Sequence, residues 1–305
     1  MKHTIHIFPA KKIDRKKWNH CVGKNTNGLI YSSSIYLDAL AENWHGLVID
    51  DYSVVMALPW KKKFGIRYAY TLPFVQQLGL IGDTTGIDLG RVLHKVYKFI
   101  SFADILFNFS NTDIQAFIPV VPRTNLVINL EQSLDSIRLH YKNDLKENIK
   151  KAEMQQLCYV KENDFDAAVS AYRLQYSERM PHIKKEHYRK FLHLCGLMKP
   201  KNQAFTRSVT DNRGNLLATA IFFKDDKRIY NLMNTTLPAG RDKEANHFLL
   251  DRVITEFAEQ PLLFDFEGSE LPGVRHFYEK FGAVNQPYFH YHYNGYSWPL
   301  RLLKK

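Results

Sequence analysis

Cysteine is scarce in this chain: Cys21, Cys158 and Cys195 stand far apart, with no CxxC pair among them. That argues against a disulfide framework or a zinc ribbon and fits a reducing compartment. No apolar run approaches the length needed to cross a bilayer. The opening stretch MKHTIHIFPAKKIDRKKW has basic residues but no continuous apolar core, so it does not read as a secretory signal. The expected location is cytoplasmic, or the inner face of a membrane. GxSxG, P-loop and HExxH motifs are missing as well, which leaves hydrolase, nucleotidase and zincin readings without support. No low-complexity linker divides the chain, so its parts are expected to pack into one body.

What is present is ordinary globular material. The 305 residues are 45% hydrophobic and 24% charged, enough for one large or two average domains. Acidic side chains are outnumbered, 31 against 42 basic ones, for a formal net charge of +11. Such a surplus draws anionic partners: a nucleotide-bearing donor, an RNA, a phosphorylated substrate or an acidic membrane surface. Solvated lysines without a partner explain the same number.

Strands and helices alternate along the chain, which excludes an all-α or all-β class. NGLIYSSSIYLDALAENW reads as a strand end, a serine cap and a helix carrying Ile35, Leu37, Leu40 and Trp44. YSVVMALPW and IRYAYTLPF read as strands joined by a basic turn at Lys61-Lys62-Lys63, followed by a helix over 88–102 and short strands in DILFNF, IQAFIPV and NLVINL. From Ser133 to Gln155 the apolar spacing predicts one long helix, with Arg138, Lys142, Lys146 and Lys150 as a basic ridge. Beyond it come a strand at LCYVK, helices near 164–179 and 186–198, and strands at AFTRSVT, LLATAIFF and RIYNLMNT, with DNRG as a turn. A helix over 243–259, the strand LLFDF, a helix ending at YEKFG and a strand through YFHYHY complete the chain.

The chemistry-bearing stretch is LLFDFEGSELPGVRHFYEKFGAVNQPYF. In strand geometry Phe264 and Phe266 face one way, Asp265 and Glu267 the other. Gly268 ends the strand, Ser269 can cap the next helix, and Pro272 suits its first turn. Two carboxylates on one face raise each other's pKa and could take a proton from an attacking amine. Pairing with Arg275 or Lys280, or capping of the next helix, accounts for them more simply. A phenol such as Tyr278 keeps its proton at neutral pH and can donate it; the alternative is an amphipathic core tyrosine. At 240–246, Arg241 and Lys243 lie beside a helix start, whose free N–H groups and dipole attract anions. His290 and His292 share a strand face at a spacing that can bind metal, but without a nearby third ligand an aromatic sheet face fits them better, and no metal is expected.

Tyr278-Glu279-Lys280-Phe281-Gly282-Ala283 resembles the Y-x-K-x-G-F signature that closes GNAT acyltransferases. The preceding Asp-Phe-Glu-Gly-Ser block resembles FemAB-like proteins, as does the basic helix LHYKNDLKENIKKAEMQQLCYV. The resemblance implies an α+β chain of two GNAT-like halves, 1–132 and 133–305, each with a mixed central sheet flanked by helices. It implies acyl or aminoacyl transfer to an amine, with Tyr278 as general acid and Asp265 or Glu267 as base. The GNAT pyrophosphate loop has the pattern Q/R-x-x-G-x-G/A; Arg241 matches, with Lys243 beside it, but Glu244 and Asn246 replace the small residues. FemAB-like proteins depart from that loop too, and take their acyl group from aminoacyl-tRNA. The implied donor is therefore aminoacyl-tRNA or acyl-coenzyme A, a substrate and not a permanent cofactor, held by Arg241, Lys243 and Asn246. Lys142, Lys146 and Lys150 are expected to contact phosphates, and the acceptor to be an amine, such as one on a cell-envelope precursor. A non-catalytic RNA- or carrier-binding protein that retains the fold is the remaining alternative.

Overall fold

In a computed structural model, residues 3–161, 163–268 and 270–296 are described. The chain forms two compact units, residues 1–123 with 287–305 and residues 124–286.

The first unit begins with β1 (Ile5–Pro9), α1 (Arg15–Lys24) and α2 (Ser34–Leu40). Asp14 starts α1 by accepting hydrogen bonds from the Lys16 and Lys17 amides. Trp44, expected in the helix, instead opens β2 (Trp44–Ile49). Next come β3 (Val54–Lys63) and β4 (Ile66–Ala69). The three lysines lie in β3, paired with β4, and the turn is Phe64-Gly65, both at positive φ as a tight hairpin requires. The short β5 (Leu80–Gly82), α3 (Leu89–Phe99), β6 (Phe102–Phe107) and β7 (Val121–Arg123) follow. The expected strand at IQAFIPV does not form: its first three residues end a 3₁₀ turn over Thr112–Ala116, and the rest is turn and irregular chain.

The second unit opens with β8 (Leu126–Asn129), α4 (Leu134–Leu139) and α5 (Asn143–Met154). The expected continuous helix is therefore broken at 140–142. The Lys142 amide donates to the Lys280 carbonyl at 2.9 Å, a bond that a helical Lys142 would spend within its own helix. Then come β9 (Cys158–Val160), α6 (Phe165–Tyr176), α7 (Lys185–Met198), β10 (Ala204–Thr210), β11 (Leu216–Lys224) and β12 (Arg228–Thr236). The short α8 (Pro238–Arg241), α9 (Ala245–Phe257), β13 (Leu263–Asp265), α10 (Pro272–Glu279) and β14 (Val284–Asn285) complete it. The expected cap at Ser269 lies outside the described residues; the residue preceding α10 is Leu271, whose side chain makes no cap bond. β15 (Tyr288–Asn294) is the last strand.

The sheets run β1-β2-β3-β4-β6-β15-β7, with β5 also on β3, and β14-β8-β13-β12-β11-β10-β9. Each has an antiparallel part and one parallel pair, β4–β6 and β12–β13, joined through a helix. The last strand, β15, is paired between β6 and β7, and β8 between β13 and β14. A division at 132/133 therefore differs from the compact units at both ends, assigning β8 and β15 to the opposite halves. Each unit has its own apolar core, one around Leu47, Met56, Val96 and Phe107, the other around Phe222, Leu249, Ile254 and Phe264.

Candidate active site

In the second unit β12 and β13 pair only at Arg228–Tyr230 with Leu263–Asp265, although β12 runs on to Thr236. β13 ends at Asp265, so from Asn231 onward that edge of β12 is left open, without a strand paired to it. Register on the other side of β12 shows a bulge: Phe222 faces Asn231 and Ile221 faces Met233, leaving Leu232 unopposed. The bulge puts Asn231 and Asn234 on one face although they are three residues apart. Asn231 is 3% exposed, and neither its Oδ1 nor its Nδ2 completes a hydrogen bond. The Asn234 Nδ2 and the Asn246 Oδ1 are likewise buried without a partner. Each such atom costs on the order of 1–3 kcal/mol when left unpaired, and two of the three residues, Asn231 and Asn234, lie on one face of β12.

Tyr278 reaches this opening from α10. Its ring packs in the core against Phe266, 4.6 Å between centroids, and Phe277. Burial raises the phenol well above its ordinary value; the neighbouring Tyr176, Tyr172 and Glu267 add to this, and Asn231 opposes it slightly. The phenol is thus within electrostatic reach of α6, β12 and the 267 turn. At 8% exposure Tyr278 is enclosed in the core and does not line an open cleft.

The two candidate carboxylates separate. Asp265 is 1% exposed and pairs with the buried Arg228 guanidinium. Its remaining oxygen positions take the Asn125 Nδ2 at 3.1 Å and the Glu267 amide at 2.9 Å. So engaged, it is not placed to accept a proton from an amine, and its partner is neither Arg275, which binds Glu279, nor Lys280, which binds Asp144. Glu267 is half-buried, sits at φ +65° and is close enough to act on Tyr278.

At the candidate anion loop, Glu244 occupies the left-handed region at φ +55°, the conformation a glycine would supply. Its carboxylate turns to Lys151 at 3.3 Å and to the His247 Nδ1 at 2.9 Å. Burial lowers the His247 pKa, with Glu244 acting against that. Arg241 is exposed and reaches Gln175 on α6 at 3.3 Å, while Lys243 is half-buried beside α9. On the basic helix, Arg138 is no part of a free ridge: it makes a two-pronged pair with the buried Asp251. Lys142, Lys146 and Lys150 make no ion pair among the described residues, and Glu153, a possible partner, binds Arg252. In the first unit His290 and His292 both bond to the same oxygen of Asp104, at 3.1 and 2.9 Å.

Reading the sequence missed Asn231, Asn234, Tyr172 and Tyr176. Two asparagines in an apolar strand, Tyr-Asn-Leu-Met-Asn, are the signal, but period-two alternation sends them to opposite faces and hides it.

Residues 140–277 match the acetyltransferase (GNAT) domain. No curated protein matches the chain in sequence. Among solved structures it is similar to FemX, with a TM-score of 0.71 and 12% identity over 99% of both chains. It is similar to the C-terminal domain of a putative lysylphosphatidylglycerol synthetase from Agrobacterium fabrum, at TM-score 0.59 and 9% identity over 95% of this chain and 94% of that one. A tandem GNAT protein from the clavulanic acid biosynthesis pathway aligns at 0.54 and 11% identity, over 96% and 100%. The second unit thus carries a GNAT acetyltransferase domain, and the whole chain has the fold of FemX and of the tandem GNAT protein.

Proposed function

We propose that the second unit transfers an aminoacyl group from a tRNA to an amine, at the opening between β12 and β13. The observation that carries this reading is the buried, unpartnered Asn231 amide beside the Tyr278 hydroxyl. The acceptor nitrogen attacks the donor carbonyl; a C–N bond forms, the ester C–O bond breaks, and the amine proton leaves through Glu267. The departing oxygen takes its proton from Tyr278, which stays protonated at neutral pH because burial raises its pKa. Asp265 holds the strand end through Arg228 and does not enter the proton transfer. FemX and the lysylphosphatidylglycerol synthetase domain lend the aminoacyl choice support through their shared fold. The acceptor is an amine, and a cell-envelope precursor is the class we favour.

For the carrier, the unpaired Lys142, Lys146 and Lys150 offer phosphate contacts, and Arg241, Lys243 and Asn246 lie at the start of α9. A coenzyme A donor is the second reading, favoured by the glycine-like backbone of Glu244. Against it stand the side chains of Glu244 and Asn246, where a pyrophosphate needs bare backbone. The deciding experiment is thermal shift with aminoacyl-tRNA and with acetyl-coenzyme A. Stabilisation by the tRNA alone is expected, with coenzyme A affinity gained by Glu244→Gly together with Asn246→Gly. Tight coenzyme A binding by the unmodified protein overturns the tRNA reading.

A further inference from the structure

We infer that Asn231 reads the acyl group of the donor and sets a preference for acyl groups bearing a free α-amino group. This rests on the proposal that the β12–β13 opening is the donor site. Asn231 is 3% exposed and offers both an acceptor, Oδ1, and a donor, Nδ2; neither makes a hydrogen bond of normal length in the protein. Its polar neighbour is the Tyr278 hydroxyl, which feels the amide and on which Tyr176, Tyr172 and the Glu267 charge also act.

A simple alkyl acyl group has one acceptor, its carbonyl, and leaves the Asn231 Oδ1 unpaired inside the protein. An aminoacyl group satisfies both atoms. Its carbonyl oxygen accepts from Nδ2, and its amino group donates to Oδ1, with the Glu267 charge beside it. Sites that present buried polar atoms to a guest reject the analogue lacking the matching group, because those atoms then stay unpaired. The bulge at Leu232 keeps Asn234 on the Asn231 face, so the polar lining continues along β12.

The test compares two stable donor mimics that differ only in the α-amino group: 3′-alanylamino- and 3′-propionylamino-3′-deoxyadenosine. Their affinities are measured by calorimetry on the full chain, for the wild type, Asn231→Leu, Asn231→Ala and Tyr278→Phe. The wild type and Tyr278→Phe are expected to bind the alanyl mimic about tenfold more tightly or better, the worth of one net hydrogen bond. Both Asn231 variants are expected to bind the two mimics alike. Asn231→Leu is also expected to raise Tm, since it removes two unpartnered buried atoms; a residue kept for folding would lower it. Equal affinities in the wild type, or a preference that survives in both Asn231 variants, overturn the role of Asn231 while leaving the donor site standing. A wild type that binds neither mimic and binds acetyl-coenzyme A overturns the donor reading and the inference with it.

Discussion

At the scale of single residues, side chains that look alike in the sequence end in different surroundings. Asp265 and Glu267 are two residues apart, yet only Asp265 is locked by a buried guanidinium. Asp265→Asn should cost about 3–5 kcal/mol in urea unfolding, because it takes from the buried Arg228 charge its neutralising carboxylate. Tyr278→Phe should lower turnover by about a hundredfold or more while changing Tm by no more than a few degrees; an unaltered rate would make the tyrosine purely structural. Glu256 gives a pH test away from the site. Burial works against its charged form, but the Arg207 guanidinium at 2.6 Å and the Tyr159 hydroxyl at 2.7 Å hold its pKa down to about 2, from 4.5. A lowered folded-state pKa means the stabilisation is present above 4.5 and lost as pH falls from there toward 2. Urea midpoints of wild type and Glu256→Gln should therefore differ at pH 7, draw together below pH 4.5 and converge only as pH falls to about 2.

At the scale of elements, local pattern located most helices and strands but not their ends. The apolar spacing of α4 and α5 is in phase, so no residue between them announces the break. What breaks them is the close approach of the turn after α10. Gly282 at φ +72° lies so close that a Cβ there would meet the His140 Cβ at 2.5 Å and the His140 carbonyl oxygen at 2.9 Å. Gly282→Ala should thus destabilise the second unit by about 1–3 kcal/mol, through both the φ strain and the clash. A Tm equal to the wild type's would show that the turn can move aside. The parallel pair was not legible either, since its partners, β12 and β13, are separated in sequence by all of α9.

At the scale of the whole molecule, the two strand placements decide what can fold alone. Residues 124–286 contain every strand of their own sheet, including β8. Residues 1–123 lack β15, which pairs with both β6 and β7. A chain of 124–286 should give a cooperative thermal transition, whereas 1–123 should do so only when a peptide of 287–305 is added. Cooperative melting of 1–123 by itself would show that β15 is dispensable. The net charge of +11 belongs to this scale too. If the lysines of α5 and its cap contact phosphates, tRNA affinity should fall with salt, and Lys142→Ala or Lys150→Ala should flatten that slope by about one unit each.

The sequence by itself determined the mixed strand–helix plan, the amphipathic faces and the closing Tyr278–Gly282 motif, because periodicity and caps act within a few residues. Only the tertiary structure decided that β8 and β15 lie beyond a simple division into halves, that Asp265 is bound to Arg228, and that Asn231 stands unpartnered beside Tyr278. Those outcomes depend on pairings across many tens of residues, on one bulge and on burial, none of which a local pattern encodes.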